Sequence, residues 1–190
     1  MDLNQYVQDA IRTESRIDEV TTDRQLLMAM LKCYIASGTI LDMIKKNVFY
    51  GKEMDRNVFN DCFLDIIRVG MTDMFLDEKP YTSEPVTVDV NPRIFHSIIG
   101  VLTESTELAE ALEKIIVTGS ADNVNILEEF GDIGWYEAIG VDELNGDLEK
   151  ILTANIDKLR LRYPEKFTSD EAINRDVVTE RALLEEGLNN

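Results

Sequence analysis

Proline placement limits this chain more than any other feature. Its four prolines stand at 80, 85, 92 and 164. Proline lacks a backbone donor and clashes with the preceding turn, so it stops helices, and the long stretches between these positions are free to be helical. Residues 2–19 form a first amphipathic pattern. "TTDRQLLMAMLKCYIASGTILDMIKK" opens on a capping-type cluster and runs apolar at helical spacing through Leu26, Leu27, Met30, Leu31 and Cys33, until Gly51 ends it. A third helix is expected from about Asp55 to Phe75. "LDEKPYTSEPVTVDVNP" reads as a polar connection with a short extended piece at 86–90. Further helices are expected at about 92–117, 123–140 and 144–162, with a peripheral one at 168–187. The fold class is all-α.

A chain of 190 residues suits one domain, or two small halves sharing a core. It has no unbroken run of eighteen apolar residues, and its acidic, amphipathic start lacks the basic and apolar parts of a signal peptide, so a cytoplasmic protein without membrane contact is expected. Cys33 and Cys62 lie in apolar surroundings without metal-ligand spacing and read as reduced core residues. The formal charge of −18 repels a polyanion, which argues against nucleic acid as the main ligand. Small phosphates stay open, because divalent cations bridge carboxylates to phosphate oxygens.

The chain also repeats itself. Sliding residues 23–75 by 68 positions lays helix, glycine turn and helix over the stretch from 91 onward. Ser37 then falls on Ser105, Lys46 on Lys114, Gly51 on Gly119 and Asn57 on Asn125. Two helical hairpins of this kind would make a four-helix bundle.

Two acidic pairs carry the chemistry. Glu104 and Glu107 are three apart, as are Glu129 and Asp132, so each pair shares a helix face. The Gly119 turn lies between them. If the two helices pack antiparallel, both pairs reach similar heights on facing surfaces, where four carboxylates repel one another unless cations intervene. An all-oxygen set suits Mg²⁺ or Mn²⁺ and not zinc. In a chain with 37 acidic residues the alternative is two solvated faces. Against that stands the apolar stripe Ile126, Leu127, Phe130 and Ile133 on the second helix, closed by Trp135 and Tyr136. His96, the sole histidine, occupies an apolar helix position and reads as structural. Aromatics such as Trp135, Tyr136, Phe49 and Tyr50 offer faces for a base, although helical aromatics usually pack at least partly in a core.

"ESTELAEAL", "NILEEFGDIGWY" and "NIDKLRLRYPEKF", in that order, resemble the MazG-like all-α nucleoside triphosphate pyrophosphohydrolase superfamily. Its signature is E-x-x-E followed by E-x-x-D, often with N-x-x-K-L-x-x-R-Y-P further on, which Asn155, Lys158, Leu159, Arg162, Tyr163 and Pro164 match. The resemblance covers about 92–168, and "DMIKKNVFYGKEMDRN" is similar to a segment these proteins often place between their acidic pairs.

The resemblance implies a single all-α domain over 1–190, with a metal-bearing hairpin and following helix at 91–165. It implies hydrolysis of an NTP or dNTP to the monophosphate and pyrophosphate, with Mg²⁺ or Mn²⁺ held by Glu104, Glu107, Glu129 and Asp132 as the catalytic set. Asn155, Lys158 and Arg162 fall on one helical face and would contact phosphates; Lys45, Lys46 and Lys52 are weaker candidates for the same task. The chain departs from the family in its first half, where Ala36, Thr39, Asp61 and Leu64 replace the four acids, so 23–75 reads as a degenerate hairpin. It departs again at Thr103, where many relatives carry a further glutamate; Glu128 is a substitute base. A homodimer or a tetramer is expected. A catalytically silent helical binding or assembly protein that keeps the fold is the alternative.

Overall fold

A computed structural model describes residues 2–69 and 84–189, and eight helices and two short strands lie among them. In chain order these are α1 (Leu3–Ile11), β1 (Val20–Thr22), α2 (Arg24–Tyr50), α3 (Arg56–Arg68), β2 (Val86–Val88), α4 (Pro92–Thr118), α5 (Asn123–Glu143), α6 (Leu148–Arg162), α7 (Ser169–Ile173) and α8 (Val177–Asn189). β1 and β2 pair as a two-stranded sheet. The protein is therefore predominantly helical, as expected. The last turns of the expected third helix, over 70–75, lie outside the described residues.

The expected boundaries move in two places. The first helix stops at Ile11 instead of Glu19, where the Thr13 hydroxyl donates to the Ala10 carbonyl and Glu14 turns away to bind Arg93. The C-terminal helix is two helices. Asp176 accepts from the Thr179 amide and hydroxyl and so starts α8 afresh. Weighed as a window instead of an unbroken run, α2 is long and apolar enough to cross a membrane by length and composition, a measure that core helices of soluble proteins also pass.

The repeat reappears element by element. α2 and α4 are both 27 residues long, begin after N-caps Asp23 and Asn91, and end at left-handed Gly51 and Gly119. Glycine is required there because side chains with a Cβ rarely take φ near +70°. Asp55 and Asp122 then cap α3 and α5 with their carboxylates.

Chain contacts divide the molecule into two units. Unit 1 comprises 1–20, 89–158 and 182–190; unit 2 comprises 21–88 and 159–181. In unit 1, α5 packs against α4 on one side and α1 on another. Its core gathers Val7, Ala10, Ala138 and Leu148, with Tyr6, Ile11, Trp135 and Val141 against them, and Ile139 is fully buried. In unit 2, α2 packs against α3 and α7. That unit buries mainly small residues, among them Ala29, Ala36 and Ala172, and leaves Ile35, Leu41, Val48 and Phe49 exposed along α2.

Candidate metal centre

The α4–α5 pair sets the geometry of the acidic site. Ser97 lies against Gly140 and Gly100 lies under the ring of Tyr136. The two helices therefore run antiparallel and close together, and one turn further on Glu104 meets Glu129 and Asp132. Carboxylate oxygens of these three residues lie within 4.8 Å of one another. The convergence expected from the E-x-x-E and E-x-x-D spacing is thus present for three of the four acids. Glu107 is exposed and does not fall within that distance of all three, although its charge acts on Glu129.

Burial distinguishes the members. Glu129 is only 3% exposed, Glu104 is half-buried and Asp132 is exposed. Loss of hydration pushes the Glu129 carboxyl above its usual range. The nearby charges of Glu107, Glu104 and Asp132, with a hydrogen bond shared with Glu104, add to the effect. Asn125, one turn earlier on α5, donates its side-chain amide to Glu129 Oε1 and fixes that carboxyl. The Thr103 hydroxyl donates to the Gly100 carbonyl and also lies 3.3 Å from Glu104 Oε1. Glu128 is exposed.

Two tyrosines flank the cluster. Burial raises the Tyr136 hydroxyl's pKa, and the charges of Glu104, Asp132 and Glu107 raise it further. Burial, followed by Asp132 and Glu137, does the same to Tyr6. Tyr6 comes from α1, and its hydroxyl is 3.4 Å from the Gly131 carbonyl oxygen. No spacing rule links Tyr6 to Asp132, so sequence reasoning missed it. Asn125 had a legible signal, because N-x-x-x-E puts an amide one helical turn from the acid.

The other expected residues each have partners of their own. Trp135 donates its indole N–H to Thr13 Oγ1 at 2.9 Å, and its ring meets His96 and Tyr136 edge to face. His96 is therefore an aromatic packing residue, as expected. Lys158 donates to Asn155 Oδ1 at 2.6 Å in unit 1. Arg162 is held by Glu180 through two hydrogen bonds in unit 2, where it lines a cavity with Lys45, Lys46 and Lys52. In the first hairpin, Ala36 is buried where Glu104 stands in the repeat.

Compared with family models, curated proteins and solved structures, the chain matches none.

The donor set fits a hard divalent cation. All three converging ligands offer oxygen, and neither histidine nor cysteine takes part. A buried carboxyl surrounded by three more acids is relieved either by a proton or by a cation, so a metal bound at Glu129 would compete with protons.

Proposed function

We propose that this protein is a metal-dependent nucleotide pyrophosphohydrolase with a MazG-like fold, cleaving an NTP or dNTP to the NMP or dNMP and pyrophosphate. The observation that carries this reading is the convergence of Glu104, Glu129 and Asp132, which belong to motifs on two different helices, around one nearly buried carboxyl.

Glu104, Glu129 and Asp132 would hold Mg²⁺ or Mn²⁺, with Glu107 at the rim. Divalent ions at such a site neutralise a triphosphate and make water a better nucleophile at neutral pH. The chain's own residues do the rest. Asn125 orients the Glu129 carboxyl, and the close approach of Gly100 to Tyr136 sets the separation of the two acidic faces. With a cation on the converging three, a carboxylate outside them would keep more of its basicity, and the exposed Glu107 and Glu128 are the candidates for accepting the proton. Asn155 and Lys158, already hydrogen-bonded to each other, supply a neutral and a cationic donor for phosphate oxygens.

The apolar residues left on the surface support self-association. Ile116, Val117, Val124 and Leu127 are each more than two-thirds exposed in unit 1. Such surface is usually covered by a partner, and a homodimer is the first expectation, a tetramer the second.

The test is incubation of purified protein with a panel of NTPs and dNTPs plus Mg²⁺, following pyrophosphate, beside Glu129→Gln. Metal-dependent release that disappears in the variant supports the enzyme. A folded protein that releases nothing with either Mg²⁺ or Mn²⁺ supports the silent binding protein. Light scattering on the same sample gives the oligomeric state.

A further inference from the structure

One turn of α5, residues 131–135, faces two helices at once. On one side Asp132, with Glu129 a turn earlier, meets Glu104 of α4. On the other side Gly131, Gly134 and Trp135 meet α1 and the residues just after it, and Ala138 joins Val7 and Ala10 in the core. A carboxylate of the acidic cluster and the docking points of the N-terminal helix therefore share a single stretch of backbone.

Two contacts join α1 to that turn. The Tyr6 hydroxyl lies 3.4 Å from the Gly131 carbonyl oxygen, and a methyl group at Gly134 would stand 3.2 Å from the same hydroxyl. The missing side chain at Gly134 is what lets the tyrosine come so close. Beyond the end of α1, Thr13 Oγ1 accepts the indole N–H of Trp135 at 2.9 Å and donates to the Ala10 carbonyl at 2.9 Å. One oxygen thus links the last turn of α1 to the residues that follow Asp132.

The three converging acids differ in what holds them. Asn125 binds the Glu129 carboxyl, and the Thr103 hydroxyl lies 3.3 Å from Glu104 Oε1. Asp132 is exposed, and no side-chain hydrogen bond fixes it among the described residues. Its carboxylate is aimed by the backbone of its own turn. Metal–ligand distances must be met to within about 0.2 Å, so a slight tilt of that turn matters to a cation.

We propose that Tyr6 and Thr13 are positioning residues of the metal centre, clamping the α5 turn that aims Asp132. This rests on the metal reading of the acidic cluster under the proposed function. Both residues lie well before 92–168, the stretch that carries the family resemblance, so the clamp comes from this chain's own N-terminal segment. Coupling between two sites is reciprocal: if a docked α1 favours cation binding, a bound cation favours docking of α1.

The experiment uses the full-length protein and its only tryptophan, Trp135, which stands at the Thr13 contact. Mn²⁺ is titrated by calorimetry and by indole emission, and amide exchange is followed over 3–11 with and without saturating Mn²⁺. Wild type is expected to bind saturably, to change its emission with the same midpoint, and to exchange more slowly in α1 once metal is bound. Thr13→Val is expected to weaken binding at least about fivefold and to reduce the emission change, while Thr13→Ser, which keeps the hydroxyl, retains both. Tyr6→Leu is expected to weaken binding as well; should it fail to fold, the two Thr13 variants carry the test. Unchanged affinity in Thr13→Val, or metal binding that leaves α1 exchange as it was, overturns the clamp and leaves the metal centre standing. No calorimetric binding of Mn²⁺ by wild type removes the metal centre itself, and the clamp with it.

Discussion

The ring of Tyr136 rests on the bare backbone of Gly100: a methyl group at that glycine would sit 2.0 Å from Tyr136 Cδ1. This contact lies one turn from Glu104 on one helix and one turn from Asp132 on the other. It sets how closely the two acidic faces approach. Gly100→Ala is expected to push α4 and α5 apart, at a cost of about 1–3 kcal/mol from overpacking. Urea unfolding gives the cost, and Gly100→Ala combined with Tyr136→Ala should recover part of it. A single variant as stable as wild type would mean that the helices separate freely.

Glu129→Gln is expected to abolish pyrophosphate release, by at least about a hundredfold. It should also raise the stability of metal-free protein at neutral pH, because it removes a buried charge among three others. Wild type should melt at a higher temperature with Mg²⁺ than in EDTA, with a stabilisation of about 2.7 kcal/mol at one hundred times the Kd. Thermal melts of both proteins with and without Mg²⁺ check this. An equal Mg²⁺ shift in both would remove Glu129 from the metal site.

The pH dependence of the metal-free protein follows from the same residue. The folded Glu129 carboxyl titrates above its usual value of 4.5. Between those two values the folded state binds more protons than the unfolded one. The Glu129 contribution to stability therefore falls as pH rises from about 4.5 through the raised folded value. Wild type in EDTA should lose stability over that window relative to Glu129→Gln, which denaturant unfolding at stepped pH can measure.

Arg93 ties three acids together in unit 1. Its guanidinium binds Glu14 at 2.8 Å, Asp142 at 2.8 Å and Glu143 at 2.8 Å, and the Glu14 side chain is 1% exposed. Among the described residues, Arg93→Met would leave Glu14 paired with the more exposed Arg16 alone, 3.2 Å away. A loss on the order of 3 kcal/mol is expected, typical of a buried pair deprived of one partner. Faster hydrogen exchange in α1 should accompany it, since Glu14 anchors the chain just after that helix.

Glu180 carries the opposite pH signature. Arg162 and then Arg175 hold its carboxyl down to about 2, from a usual 4.5. Its contribution is therefore fully present above pH 4.5 and is lost as pH falls toward 2. Glu180→Gln is expected to destabilise the protein at pH 7, by on the order of 3 kcal/mol, and to do so much less near pH 2. Equal destabilisation at both would mean that the ion pairs contribute nothing.

The helical class, the Gly51 and Gly119 turns and the two acidic pairs could be read from the sequence, because each depends on local chemistry. Capping side chains, left-handed glycines and residues three or four apart on a helix act within one or two turns. The antiparallel meeting of Glu104 with Glu129 and Asp132 followed from that local reading once a single turn was placed between the helices. Tertiary structure alone decided what depends on separation in the chain. Tyr6 reaches Gly131 across 125 positions and Arg93 reaches Glu14 across 79, and no periodicity records either meeting. The same holds for burial, which separates Glu129 from Glu107 although both were read as members of one set. It holds again for Arg162, whose place on a helix face was legible but whose partner was not. Local spacing fixes which face a side chain takes; packing decides what it meets there and how much water it keeps, and hence its charge.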